Sequence, residues 1–212
     1  MLRAARREPS AILLATQLAG LVLYPFMEGN FAGRALLSVF GVVVLWLVLN
    51  AVAHSPASTS VGLLLGAPAS VLLLVQAATD SDALLPYSSA LEAVLYFYAA
   101  GALIAYMLHD HRVTRDELFA VGATFTLVAW GFAYAFLVCQ AVDAGSFGAP
   151  RRWVELLFLS VTSLTSVGLS DIAPVRSFAR SLVMLEELAG LAYVAMLVSR
   201  VVGLTVMARR DG

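Results

Sequence analysis

The chain predicts an all-α integral membrane fold: six transmembrane helices, with one shorter helix between the fifth and sixth that enters the bilayer and turns back. Three observations carry that expectation. Of 212 residues, 61% are hydrophobic and 13% charged, and the mean hydropathy is +0.88, a balance foreign to soluble domains. Apolar runs of about 20 residues, enough for a helix to cross about 30 Å of hydrocarbon, recur along the chain. One further apolar run is too short to cross and ends in hydroxyl residues and a glycine.

The first span, residues 10–27, has a basic start at Arg3, Arg6 and Arg7 and an apolar middle. No small-x-small cleavage site follows, so it is expected to stay as an uncleaved helix. Spans at 34–54, 60–78 and 84–108 complete a four-helix scaffold over residues 1–116. The fourth span holds no basic residue, whereas a voltage sensor needs several, each moving charge contributing about 2.3 kcal/mol per 100 mV. Steep voltage dependence is therefore not expected from this scaffold.

Residues 117–212 form a second unit, with spans at 118–142 and 177–207. Between them, residues 153–165 would reach only about 20 Å at 1.5 Å per residue as a helix. Orientation follows the arginines: Arg3, Arg6 and Arg7, then Arg112 and Arg115, then Arg209 and Arg210 gather on one side, so both termini are expected in the cytoplasm. All thirteen basic residues are arginine, a bias that hints at a GC-rich, bacterial coding sequence and so at a bacterial inner membrane. The net charge of −1 and the lack of a basic stripe argue against nucleic acid as a partner. The single Cys139 cannot form an internal disulfide and reads as a small packing residue.

The short run leads into Thr162-Ser163-Leu164-Thr165-Ser166-Val167-Gly168-Leu169-Ser170-Asp171-Ile172-Ala173-Pro174. Backbone leaves the helical state inside a bilayer only where protein buries it or a wet cavity meets it, since each unpaired carbonyl in hydrocarbon costs several kcal/mol. Bare carbonyls in such a place serve a cation, so the segment reads as a re-entrant ion filter.

Residues 153–203 resemble the pore module of the potassium channel family: pore helix, filter loop, inner helix. The family filter reads TVGYG, usually within a stretch like TLTTVGYGD followed by a proline. Here Thr165, Ser166, Val167, Gly168, Leu169, Ser170 and Asp171 correspond, with Pro174 in the expected place. Arg180 falls at the family's arginine atop the inner helix, and Gly190 at its hinge glycine without a gap. The resemblance implies a homotetramer, since one filter segment per chain makes a quarter of a ring. It also implies permeant potassium, with sodium as the competing ion, and no other cofactor.

On this reading the carbonyls of Thr165, Ser166, Val167, Gly168 and Leu169 replace water around the ion, and Ser166, Val167 and Gly168 are its firmest ligands. The hydroxyl of Ser166 would close the innermost ring. The pore helix aims its partial negative end at the cation, and Asp171 adds negative potential at the mouth unless it is an ordinary loop cap. Ser170 replaces the second filter glycine, and Leu169 replaces the filter aromatic, whose bracing positions are Phe158 and Leu159. If Ser170 must adopt positive φ, it costs about 1 to 2 kcal/mol. The expectation is a cation pore with a near-family inner filter, a looser outer one and reduced potassium preference.

Intramembrane carboxylates are functional suspects by default. Glu186 and Glu187 lie about two turns below Arg180, at filter depth, and stand open between one of them accepting a hydrogen bond from Thr162 or Ser163 and a plain packing or lipid-interface role. Glu92 stands open between a water-filled crevice and an interface hydrogen bond. Gly190 stands open between a hinge and close helix packing. Arg200 is expected to snorkel to the headgroups. His109-Asp110-His111 reads as a solvated linker or a proton sensor.

Three other classes compete with the pore. A serine hydrolase built on Ser170 lacks a histidine on its side of the membrane, since His54, His109 and His111 fall at the cytoplasmic edge, so an enzyme is not expected. A secondary cation transporter predicts paired broken spans and an inverted repeat, and neither is present. A non-conducting channel relative stays open.

Overall fold

The computed structural model describes residues 8–27, 31–53, 55, 57–79, 82–109 and 114–210. The expectations for His54, Asp110, His111, Arg112 and the first three arginines lie outside the described residues. The described elements are α1 (Pro9–Met27), α2 (Phe31–Ala53), α3 (Thr59–Thr79), α4 (Leu85–Leu108), α5 (Arg115–Val142), α6 (Trp153–Leu164) and α7 (Ser177–Arg210), with one 3-10 turn at Asp82–Leu84. No strand occurs among the described residues.

By length and apolarity, α3, α4, α5 and α7 suffice to cross a membrane. In α1 and α2 the described apolar stretches, Pro9–Tyr24 and Phe40–Ala53, are shorter. Local chemistry sets the ends. Pro86 sits in the first turn of α4, where its missing N–H is harmless. The Thr114 hydroxyl caps α5 by accepting from the Glu117 N–H at 3.2 Å, with Asp116 and Glu117 facing the helix's positive end.

Asp116 also caps a second helix. Its carboxylate accepts from the Ser10 backbone N–H at 3.0 Å and the Ser10 hydroxyl at 2.9 Å, joining the start of α1 to that of α5. One apolar cluster runs through α1 to α5 and reaches Leu157 of α6 and Tyr193 of α7. It therefore draws on residues from both sides of positions 116 and 117. A second cluster holds the other end of α5, with Phe136, Phe147, Leu156, Leu159, Ile172 and Val183 in contact. This second cluster positions the short helix and the loop that follows it.

Candidate functional site

α6 is anchored at both ends. At its start, the Arg152 backbone N–H donates to the Glu155 carboxylate at 2.8 Å, and this bond, with the Arg152 and Arg151 charges, holds the Glu155 carboxyl below the usual carboxylate range. Just ahead, Gln140 brackets Arg151, donating to its carbonyl at 2.7 Å and accepting from its N–H at 2.8 Å. The loop after α5 is tied to the loop before α7 by the Val175 N–H to Ser146 carbonyl bond at 2.8 Å and the Arg176 to Asp143 ion pair at 3.1 Å. Two loops thus frame residues 165–171.

At the other end of α6 the backbone alternates in hand. Ser166 has φ +57° and Gly168 φ +66°, and neither Val167 between them nor Leu169 and Ser170 after them has positive φ. Such alternation turns successive N–H groups to one side. The Ser166 N–H donates to the Ser163 carbonyl at 2.8 Å, and the Val167 and Gly168 N–H groups both donate to the Thr162 carbonyl, at 2.9 and 3.0 Å. All three donors are consumed in closing the end of α6. The carbonyls of Thr165, Ser166, Val167, Gly168 and Leu169 accept no hydrogen bond among the described residues. Their residues are exposed, Val167 at 56% and Leu169 at 75%.

The side chains sort differently from the backbone. Thr162 and Thr165 turn their hydroxyls back onto α6, Thr162 to the Phe158 and Leu159 carbonyls and Thr165 to the Val161 carbonyl at 2.7 Å. Ser170 accepts from the Ile172 N–H at 3.1 Å, a short turn that seats Ile172 in the second cluster. Asp171 is exposed at the bend. Phe158 is also exposed and Leu159 buried, so no aromatic brace surrounds Leu169.

The feared strain at Ser170 is absent; it falls on Ser166, the one non-glycine residue with positive φ among the described residues. The reason is the capping: Ser166 is where the chain must reverse hand for Val167 and Gly168 to reach Thr162. The partner expected for Glu186 also differs. Its carboxyl receives the Ser160 hydroxyl rather than Thr162 or Ser163, and Ser160 also lies 2.7 Å from the Ala129 carbonyl of α5. Ser160 thereby joins α5, α6 and α7 at one buried point. Glu187 is exposed on the other side of α7.

Gly190 is buried where α7 meets the end of α6, with the Leu164 backbone against it. Arg200 does not snorkel; it donates to Glu117 at 2.8 Å, the two side chains only 13% and 6% exposed. Arg180 donates to the Pro174 carbonyl at 3.2 Å and steadies the loop before α7. Ser160 is not among the residues expected from the sequence to act here, although its hydroxyl on a short, mostly apolar helix is a signal. Ile172 and Ser146 become meaningful only once the two loops meet.

Neither the curated proteins nor the solved structures compared with this chain give a match. Residues 122–206 match the family model described as an ion channel, a stretch running from within α5 through α6 and the 165–171 loop into α7. The part of this membrane chain that frames those partnerless carbonyls is therefore similar to ion channels.

Proposed function

We propose that four copies of this chain surround one axis as a potassium-type cation channel, with the 165–170 carbonyls as the filter. On this reading all six long helices cross the bilayer, α6 is re-entrant, residues 1–116 are scaffold and 117–212 pore. The observation that carries it is the division of labour in the loop: every N–H from Ser166 to Gly168 closes α6, while the carbonyls from Thr165 to Leu169 have no partner among the described residues. Dehydrating a cation takes rings of such oxygens, and one chain supplies a quarter of each. About 22% of the spanning window of α7 and 17% of that of α3 are buried in the protomer, against 50% for α4 and α5. On this reading the bare side of α7 faces neighbouring copies and the conduit, and that of α3 faces lipid.

Selectivity follows from the outer filter. Leu169 has no aromatic brace and the Ser170 hydroxyl is committed to Ile172, so the outer rings are held less firmly than the inner ones. Passive potassium conduction with a reduced preference over sodium is the expected behaviour. Reversal potentials in mixed potassium and sodium test this. The wild type should show measurable sodium permeation, and Leu169→Tyr combined with Ser170→Gly should reduce it. Strict potassium selectivity in the wild type would overturn the looser outer filter, and a stable monomer on cross-linking would overturn the pore.

A further inference from the structure

A cavity of about 230 Å³ lies in the scaffold, away from the 165–170 loop, among α1 to α5 and the first residue of α6. Its wall is aromatic. Tyr96, Trp130, Trp153 and Tyr134 contact one another in a closed circuit, with centroid separations of 5.9, 5.3, 5.5 and 5.6 Å taken in turn, and Tyr24 extends it through Trp153 at 6.1 Å.

Into the same cavity comes Glu92, 3% exposed, with the Tyr134 phenol beside it and no ion pair among the described residues. Of the other polar lining groups, Gln76 donates to the Ser88 hydroxyl at 2.9 Å, and Ser88 donates to the Leu85 carbonyl at 3.2 Å. The Trp153 indole N–H, by contrast, is buried with no acceptor among the described residues.

We propose that this cavity binds a small alkylammonium ion of the choline type, its charge set against Glu92 and its methyl groups against the aromatic faces. A carboxyl buried like Glu92 either keeps its proton, here beside the Tyr134 phenol, or gives it up to a cation that enters the cavity, and the surroundings select which cation can do so. A hard metal ion wants six or more oxygens, and among the described residues no cluster of three ligating side chains exists here or elsewhere. A weakly hydrated quaternary ammonium instead prefers ring faces. An oxygen borne by the ligand would give the Trp153 N–H its missing acceptor. Two sources present this chemistry, free choline-like solutes and the headgroup of a phosphatidylcholine lipid. The site stands whether or not the 165–170 loop conducts.

The full-length protein in phosphatidylglycerol vesicles, titrated with choline chloride against sodium chloride at constant ionic strength, tests the proposal by tryptophan fluorescence. Of three tryptophans, Trp130 and Trp153 line the cavity, whereas Trp46 is 63% exposed on α2. A saturable change is expected with choline and not with sodium. Glu92→Gln should raise the midpoint by about tenfold or more. Dimethylbutanol, the uncharged carbon isostere of choline, should bind the wild type weaker by about the same factor, which keeps the test decisive if the variant does not assemble. In phosphatidylcholine vesicles, a raised choline midpoint identifies the lipid headgroup as the ligand, and an unchanged one identifies the free solute. No saturation in phosphatidylglycerol, or equal binding of choline and its neutral isostere, overturns the proposal.

Discussion

A methyl group placed on Gly190 would collide with the Leu164 carbonyl oxygen and stand 2.9 Å from the carbonyl carbon. α7 therefore crosses the end of α6 backbone against backbone, an approach that only a residue without Cβ permits. The atom it would strike belongs to the last residue of α6, immediately before the filter-like loop.

Gly190→Ala should consequently act on assembly before it acts on opening. The two helices must separate, and overpacking of this kind costs about 1 to 3 kcal/mol. Thermal unfolding of the purified protein should fall accordingly. An unchanged melting temperature with altered opening would instead favour the hinge.

Glu186 and Ser160 make a second prediction, because together with the Ala129 carbonyl they join three helices behind the loop. Glu186→Ala should cost about 1 to 3 kcal/mol in stability and increase sodium permeation, since the Ser160 hydroxyl loses a buried partner. Glu186→Gln retains an acceptor and should lose less than half as much. Unfolding curves and mixed-ion reversal potentials measure the two effects.

Much of the fold was legible in the sequence, and the reason is visible in the helix ends. Apolar runs bounded by polar turns place the six long helices and α6 within three residues of the bounds found, as with 118–142 against Arg115–Val142. Periodicity could not give helix rotation. Ser160 and Thr162 are two positions apart, about 200° around α6, so which hydroxyl meets Glu186 depends on how α6 is turned toward α7. The Arg200 and Glu117 pair, 83 residues apart, is invisible for the same reason. The filter-like stretch was legible because hydroxyl residues and glycine are out of place in an apolar run. The place of its strain was not, because Ser166 takes positive φ only to let its neighbours cap Thr162.

Ser166→Gly and Ser166→Val should therefore separate sharply. Glycine adopts the left-handed region freely, so the loop should keep its shape and stability should change by less than about 1 kcal/mol. Valine is β-branched and an outlier there, and ion flux through the reconstituted protein should be lost. Equal behaviour of the two variants in flux and unfolding would contradict the assigned backbone.

The Arg200 and Glu117 pair fixes the inner part of α7 to the first turn of α5. Arg200→Gln takes the cation away from a largely buried carboxylate and should cost about 3 kcal/mol. Adding Glu117→Gln should recover part of that loss, because the charge that Arg200 balanced is then gone too. A double-mutant cycle on thermal or denaturant unfolding checks the sign of the recovery.

Flux from liposomes carrying the purified wild-type chain bears most directly on the cation pore. Potassium should leave down its gradient faster than from empty liposomes, and barium, a divalent ion close to potassium in size, should block the efflux. No efflux above the empty control, or efflux that barium leaves untouched, would contradict a filter built from the carbonyls of residues 165–170.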